Sequence, residues 1–525
     1  MKTLSCDFSL KDRLRSIHFS TRLLFVVSLI VYSPFIFQQL NNADCNNNGY
    51  LYHYPGYGWE NAQGRFLIRF FDMWRNGIVS PVLIVVLSLI FLCAASELLI
   101  NIFDIKSETS AFLTGALLIF SPSFADLFSY YYTLDSYCFA FFLCALSAHL
   151  LINKQGVLSK VVSGILLFIS MGIYQAYSGF TLCLIIMWLI KKCFDKDDSI
   201  KEPLFTTLWA FVTYGISTLV YLAVFKILAM IKYLAPVGER GANNILGNFI
   251  SSFFTKLIDS YADLFRYFFT DNIVNNSWYE RRWLNAASMI LTAVLIVLLV
   301  IKKKTYKNAG KILTLTAGIL LIPVMVFLIT ILAPTSSIYA ETGILLLSYI
   351  NIIYVIPLIL PQDNKKLSIA AQVVLGLICV VLVVFIQVFA EYIDREQVQI
   401  SNLANRLVYR MESLDEYAQD QQVLVVGRPQ KGNYDLPDEK YEAITKGMIS
   451  HYSQIFGAED QISDGWIKAF KYFVGVRYTE CSAGKRKELI ASDEVQSMGI
   501  YPAGDSVKRI DDVVVIKLSD WEVQN

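Results

Sequence analysis

The stretch from Val79 to Phe103 reads VSPVLIVVLSLIFLCAASELLINIF. It is apolar but for scattered serines, Glu97 and Asn101. At about 1.5 Å per residue, a helix of this length crosses a hydrocarbon core of roughly 30 Å. Working outward, runs of similar length and character recur, and the spans expected are 22–40, 79–103, 110–129, 134–152, 157–174, 176–193, 205–231, 283–301, 312–333, 341–360 and 368–390. The run 157–193 must turn tightly near Tyr174–Ser178. The chain of 525 residues is 55% hydrophobic, with a mean hydropathy of +0.48, too apolar for an ordinary soluble globule. The expected fold is a polytopic α-helical membrane protein with about 11 transmembrane helices and a small C-terminal α/β extracytoplasmic domain.

Lys and Arg in short connections set the orientation. The N-terminus is basic, with Lys2, Lys11, Arg13, Arg15 and Arg22 ahead of an apolar run, and no small-residue cleavage site follows. That reads as a retained first span. Alternate connections carry Lys106; Lys154 and Lys160; Lys191, Lys192, Lys196 and Lys201; Lys302, Lys303, Lys304, Lys307 and Lys311; and Lys365 and Lys366. The turns near 130–133, 175 and 334–340 carry no Lys or Arg. The N-terminus is therefore expected in the cytoplasm. Two long extracytoplasmic loops, about 41–78 and 232–282, belong to a transmembrane body over 1–390. The charged region 391–525 is expected to be a soluble α/β domain on that outer side. It would begin with a helix from Glu391 to Leu414, with buried strands at Val423–Gly427 and Val513–Ile516.

Carboxylates collect on the outer face under this topology. Asp44 follows the first span, Glu60 lies in the first loop, and Asp126 and Asp135 flank the tyrosine-rich turn 130–132. An acid at membrane depth is costly, so it marks a function or a partner. Asp44, Glu60 and Asp135 are the candidate catalytic carboxylates, suited to accept a proton from an attacking hydroxyl. Each has a structural alternative: a solvated loop acid or cap for Asp44, an ion pair with Arg65 or Arg69 for Glu60, and a first-turn acid for Asp135. Asp126 is a further candidate of the same type. Tyr174 and Gln175, at the outer turn, can bind sugar hydroxyls or satisfy a helix end. Arg65, Arg69, Lys256, Arg266, Arg281 and Arg282 can hold a lipid phosphate, because cations at an interface match phosphate oxygens. Snorkelling to headgroups is the plainer reading for most of them. The apolar residues of Gly64–Arg75 recur at helical spacing, with arginines opposite, which reads as a helix lying in the interface; Phe249–Phe269 is similar.

Other classes are disfavoured. A net charge of +1 implies no nucleic-acid partner. Nine cysteines and four histidines lack metal-ligand spacing, so no metal or cofactor is expected. Cys45 and Cys481 would share the outer side, either as a disulfide or as free thiols. No P-loop, Rossmann fingerprint, HExxH or GxSxG motif occurs in a supporting context. Acids deep within spans are few, Glu97 being the exception, which argues against an ion-driven transporter.

Four places resemble the Gtr-type serotype-converting glucosyltransferases of phages and enteric bacteria. They are Asn41 to Asp44 with Trp59-Glu60 and Gly64-Arg65-Phe66-Leu67; Leu134-Asp135-Ser136; Gly172-Ile173-Tyr174-Gln175; and Ile500-Tyr501-Pro502 with Asp511 to Leu518. The resemblance implies a GT-C-like enzyme of the bacterial inner membrane. The donor would be undecaprenyl phosphate glucose, a polyprenyl phosphate sugar. The acceptor would be an O-antigen or similar surface glycan at the periplasmic face. It also implies that the base lies close to the end of span one, which matches Asp44, with Glu60 second. An O-antigen polymerase and a lipid-linked sugar flippase are the alternatives.

Overall fold

The computed structural model describes residues 17–42, 59–154, 156–195, 199–231, 245–269, 281–332, 348–360, 365–415, 417–418, 420–429 and 462–520. Among these, seven helical stretches are long and apolar enough to cross a membrane: Pro81–Phe103, Tyr131–Asn153, Val157–Lys192, Lys201–Met230, Arg282–Lys302, Ala309–Val326 and Lys365–Glu412. Shorter apolar helices cover Phe19–Val31, Glu108–Ile119 and Ile350–Ile359. Val157–Lys192 covers two of the expected spans, and several others are broken into shorter helices.

Prolines account for three of the breaks, because a proline lacks the N–H that continues a helix and restricts the residue before it. The first span stops at Val31 and resumes as Ser33–Phe37, with Pro34 in its first turn. The third divides into Glu108–Ile119 and Pro122–Leu127. Ala309–Val326 contains Pro323 and gives way to Leu328–Leu332. Carbonyls freed at such ends cannot turn to water inside a bilayer, so side chains serve them. Tyr32 Oη donates to Ile119 O at 2.7 Å, Tyr131 Oη to Phe35 O, and Asn351 Nδ2 to Leu117 O at 3.1 Å.

Val157–Lys192 reverses on itself, as the sequence spacing predicts. Its first half, Val157–Tyr174, runs antiparallel to Tyr131–Asn153. Ser159 Oγ donates to Leu150 O at 2.8 Å, Ser147 and Ser163 pair at 2.5 Å, and the Tyr137 and Tyr174 rings stack at 4.1 Å. After the 3-10 turn Gln175–Tyr177, the second half retraces the same neighbour. Phe180 stacks on Phe141 at 4.2 Å, and Thr181 Oγ1 donates to Cys144 O at 2.9 Å. Small polar residues let these helices approach closely and bond across the interface.

The bundle has two chemically distinct ends. At one, Lys191 Nζ donates to Phe103 O, Lys192 pairs with Asp195 at 2.7 Å, and Lys311 Nζ donates to Asp195 O at 2.8 Å. Glu97, the one acid expected deep in a span, belongs near this lysine-rich end. It binds His18 Nδ1 at 2.7 Å and accepts from Thr21 Oγ1, while Glu108 accepts from Ser20 N at 2.9 Å. Both carboxylates thereby serve the N-terminal turn of Phe19–Val31, where a negative group complements the helix dipole.

The other end carries the acidic cluster and the tail. The helix Lys365–Glu412 has 48 residues, about 72 Å at the standard rise. Span eleven and the expected helix 391–414 are therefore one rod, which carries the chain well beyond the hydrocarbon core. Beyond it, β1 (Gln422–Val426), β2 (Thr479–Glu480), β3 (Val507–Ile510) and β4 (Val513–Lys517) form a sheet in the order β2-β1-β4-β3. β1 is parallel to β2 and β4, and β3 pairs antiparallel with β4. The two expected strands are β1 and β4, and both sheet faces are covered. Leu424, Val426, Val513 and Val515 pack with Leu489 and Ile490 on one face. Val423, Val425, Val514 and Ile516 share the main core, which also holds Trp466, Phe470 and Leu407. Such double burial explains why these strands read as continuous apolar runs. Cys481 is buried beneath the sheet and has no disulfide partner among the described residues, outside which Cys45 lies.

The tail meets the bundle at Asn41. Its amide donates to Tyr472 Oη, and its Oδ1 accepts from Gln397 Nε2 at 2.9 Å. The lysine-rich end and the tail therefore lie at opposite ends of the bundle. Single cysteines at the exposed positions Lys307 and Lys487 should react with a membrane-impermeant maleimide from opposite sides of sealed vesicles. Labelling of both from one side would break this arrangement.

Candidate functional site

The site begins with the chain from Glu60 to Arg75. Glu60 sits in the short helix Trp59–Ala62 and is buried. Gly64 then turns the chain at φ +88°, and Arg65 N donates to Glu60 O at 2.9 Å. A Cβ at Gly64 would lie 2.2 Å from Tyr221 Oη, so this left-handed position is also sterically closed to side chains. Gln175 Nε2 donates to Gln63 O at 2.6 Å and to Tyr221 Oη at 2.8 Å, and Tyr221 donates onward to Gly64 O at 3.1 Å. Leu67 N donates to Gly172 O at 2.8 Å, where a Cβ would strike the Leu67 side chain at 2.6 Å. Gly64–Leu67 and Gly172–Gln175, two separate signatures in the sequence, are two sides of one contact.

Arg65 points inward from this turn. Its Nη1 donates to Tyr137 Oη at 2.7 Å, and its guanidinium lies 4.9 Å from the Tyr174 ring centroid. A cation over an aromatic face is held by the ring quadrupole, most strongly where water is excluded. The Glu60 carboxylate acts electrostatically on Arg65 and on Asp72. Arg65 Nε and Gln63 Nε2 are buried donors with no partner among the described residues.

Arg75 organises the second half of the site. It forms an ion pair with Asp72 one turn earlier, and its Nε lies 3.4 Å from Asp135 Oδ2. Its Nη2 also donates to Tyr132 O at 2.7 Å and its Nη1 to Ile78 O at 3.0 Å. Asp135 Oδ1 accepts from Ser136 N at 2.9 Å. Asp72 and Asp135 are both 0% exposed, so two buried carboxylates share one buried guanidinium. Burial pushes the Asp72 carboxyl from an ordinary value of 3.8 up to about 8; Arg75 opposes that rise, while Asp135 and Glu60 add to it.

The structure thus gathers Glu60, Arg65, Asp135, Tyr174 and Gln175 at the acidic end. Asp44 lies outside the described residues, two positions past Asn42, whose N–H donates to Ser129 O at 3.2 Å. Asp126 is buried in Pro122–Leu127, where its carbonyl accepts from Ser129 Oγ at 2.7 Å. Arg69 lies over the Phe70 ring at 5.1 Å. Lys256 and Arg266 pair along their own helix with Asp259 at 3.6 Å and Asp263 at 3.3 Å. Arg281 opens the helix Arg281–Lys302, its side chain outside the described residues, and Arg282 is exposed.

One expectation is corrected. The stretch 64–75 contains a helix only over Arg69–Trp74, and Arg65 and Arg75 point into the protein instead of snorkelling. Phe70, Met73 and Trp74 are exposed instead. Stacked tyrosines and paired carboxylates hold these cations better than an interface would. Asp72, Arg75 and Tyr137 were not singled out from the sequence. The three-residue spacing of Asp72 and Arg75, with an acid in the apolar span opposite, is the signal that could have found them.

Removing Arg75 leaves two buried carboxylates uncompensated. Arg75→Ala should destabilise the detergent-solubilised protein by about 3–5 kcal/mol, read from its unfolding midpoint; wild-type stability would contradict the shared ion pair. The raised Asp72 pKa has a defined sign. An acid raised in the fold contributes stability below its unfolded pKa and loses it as pH climbs through the folded value. Asp72 therefore favours folding near pH 4 and does so progressively less towards about pH 8. Asp72→Asn should flatten thermal stability across that window, and an unchanged slope would exclude Asp72 as the titrating group.

Comparison with known proteins bears on this cluster. No curated protein and no solved structure matches the chain. The glucosyl transferase GtrII family matches residues 47–350, more than half of the chain, a segment that includes Glu60, Arg65, Asp72, Arg75, Asp135, Tyr174 and Gln175. With its apolar helices and this matched segment, the chain belongs to the glucosyl transferase GtrII family.

Proposed function

We propose that the protein transfers glucose from undecaprenyl phosphate glucose to an O-antigen or similar surface glycan at the periplasmic face of the inner membrane. The observation that carries this reading is the cluster itself: an Arg65 that lies over the Tyr174 ring and feels the Glu60 charge, with buried donors on Arg65 and Gln63 that have no partner among the described residues. Carboxylates can take a hydroxyl proton, and a guanidinium with free N–H capacity can meet phosphate oxygens. The positive-inside rule assigns the lysine-rich end to the cytoplasm and the acidic end, with the tail, to the periplasm. The organisation that follows is a glycosyltransferase body over 1–390 and a soluble domain over 391–525.

In this mechanism the donor's prenyl tail lies among the spans with its phosphate near Arg65. The acceptor oxygen attacks the anomeric carbon as the bond to the phosphate oxygen breaks, which inverts that centre. The acceptor proton passes to Asp44, and polyprenyl phosphate leaves with the bonding pair. Arg65 stabilises the charge that develops on the phosphate. Glu60 orients the sugar through hydrogen bonds, and the Asp72–Arg75–Asp135 group keeps the surrounding helices in place. Phosphate is a good leaving group, so the mechanism calls for neither a general acid nor a nucleotide-binding metal.

The test is transfer of label from radiolabelled undecaprenyl phosphate glucose to lipid-linked O-antigen by purified protein in nanodiscs. Asp44→Asn should lower the rate by about 10²–10⁴-fold while the protein stays folded. Full activity in that variant with loss in Glu60→Gln moves the base to Glu60. Absence of transfer by the wild type, across several glycans, would remove this donor and acceptor assignment.

A further inference from the structure

Away from the acidic cluster, a groove of about 540 Å³ opens where the far end of Lys365–Glu412 meets the loop before β3. It is lined by Asn405, Arg406, Tyr409, Arg410, Ser413 and Tyr501. Tyr409 is 74% exposed, so its ring face is open to a ligand. Arg410 is fixed in place: its Nη1 and Nη2 donate to Pro502 O at 3.0 Å and Gly504 O at 3.1 Å, and it lies 5.9 Å from the Tyr501 ring. The groove therefore combines an exposed aromatic face with amide, hydroxyl and guanidinium groups on a rigid helix.

We propose that this groove binds saccharide units of the acceptor polysaccharide, at a distance from the transfer site. The C–H face of a pyranose ring carries weak positive charge and lies well against the negative face of Tyr409. Its hydroxyls need partners around that face; Asn405 and Ser413 donate to Ser401 O at 2.8 Å and Tyr409 O at 2.7 Å, which leaves Asn405 Oδ1 and Ser413 Oγ as acceptors there. Position supports a polymeric ligand. Tyr409 and Gln397 stand on the same helix, about 18 Å apart along its axis, and Gln397 bonds Asn41 at the acidic end. One chain of several sugars can reach from the groove towards the cluster, and two contacts on one polymer raise its effective concentration at the second. This inference rests on the proposed glycan acceptor, and its test is run without donor so that the two stand or fall separately.

The probe is purified O-polysaccharide, titrated against the full-length protein in nanodiscs and read by ligand-observed NMR saturation transfer. The wild type should bind. Tyr409→Ala should weaken binding about five- to tenfold, as loss of an aromatic anchor does. Tyr409→Phe should retain it, because the ring face is the contact. Asn405→Ala should weaken it less, and Lys487→Ala, elsewhere on the tail, should leave it unchanged. None of these exposed positions is needed for folding, which equal melting temperatures would confirm. In the transfer assay Tyr409→Ala should raise KM for the polysaccharide with kcat unchanged. Equal binding by the wild type and Tyr409→Ala, or no binding by the wild type, overturns the proposal whether or not glucose is transferred.

Discussion

A single guanidinium, that of Arg75, holds the acidic end together. It pairs with Asp72 on its own turn and with Asp135 on the facing span, and it donates to the carbonyls of Tyr132 and Ile78. Every one of these groups is costly to bury by itself. Together they fix the entry to the helix Pro81–Phe103 against the start of Tyr131–Asn153. The loop over 60–75 is therefore part of the packed bundle. With one cation for two buried carboxyls, Asp72 holds its proton up to about pH 8, which ties the stability of the group to pH.

The rest of the site is built on that anchorage by close approach. Gly64 and Gly172 have no room for a Cβ, and their absence of side chains lets Leu67 and Tyr221 close over the loop. Arg65 is thereby directed onto the stacked Tyr137–Tyr174 pair, over the Tyr174 ring and against the Tyr137 hydroxyl. The result is a packed polar cluster at the end of an apolar bundle, in which buried donors on Arg65 and Gln63 have no partner among the described residues.

The helix Lys365–Glu412 joins this cluster to the tail. A bent or jointed connection would leave the tail free to move. A continuous helix that packs on the bundle at Phe385 and Phe389, and on the sheet through Leu407 and Met411, transmits position along its length. Asn41 is held by Gln397 of this helix and by Tyr472 of the tail, so the end of the first span senses both.

Several features were legible in the residues themselves. Long apolar runs must cross a bilayer as helices, because only a helix satisfies its own backbone there. Clustered lysines separated the two ends, and the runs at 423–427 and 513–516 read as buried strands. The turn at Tyr174–Ser178 followed from a run too long for one crossing. The family signatures at Gly64 and Gly172 were visible as well, but not that they touch, since they are far apart in sequence. The inward turn of Arg65 and Arg75 is not legible in helical periodicity, which describes one helix against an interface. Their true partners, Tyr137, Tyr174 and Asp135, come from other spans. The merging of the last span with the tail helix is hidden for a similar reason: the change from apolar to charged residues at 390 is a change of composition, not a break in the helix. Sequence by itself determined which segments are long and apolar enough to cross a membrane, because transfer of apolar area depends on local composition. Which buried charges meet was decided by tertiary structure, because a charge at membrane depth is stable only beside partners that the folding of distant segments brings to it.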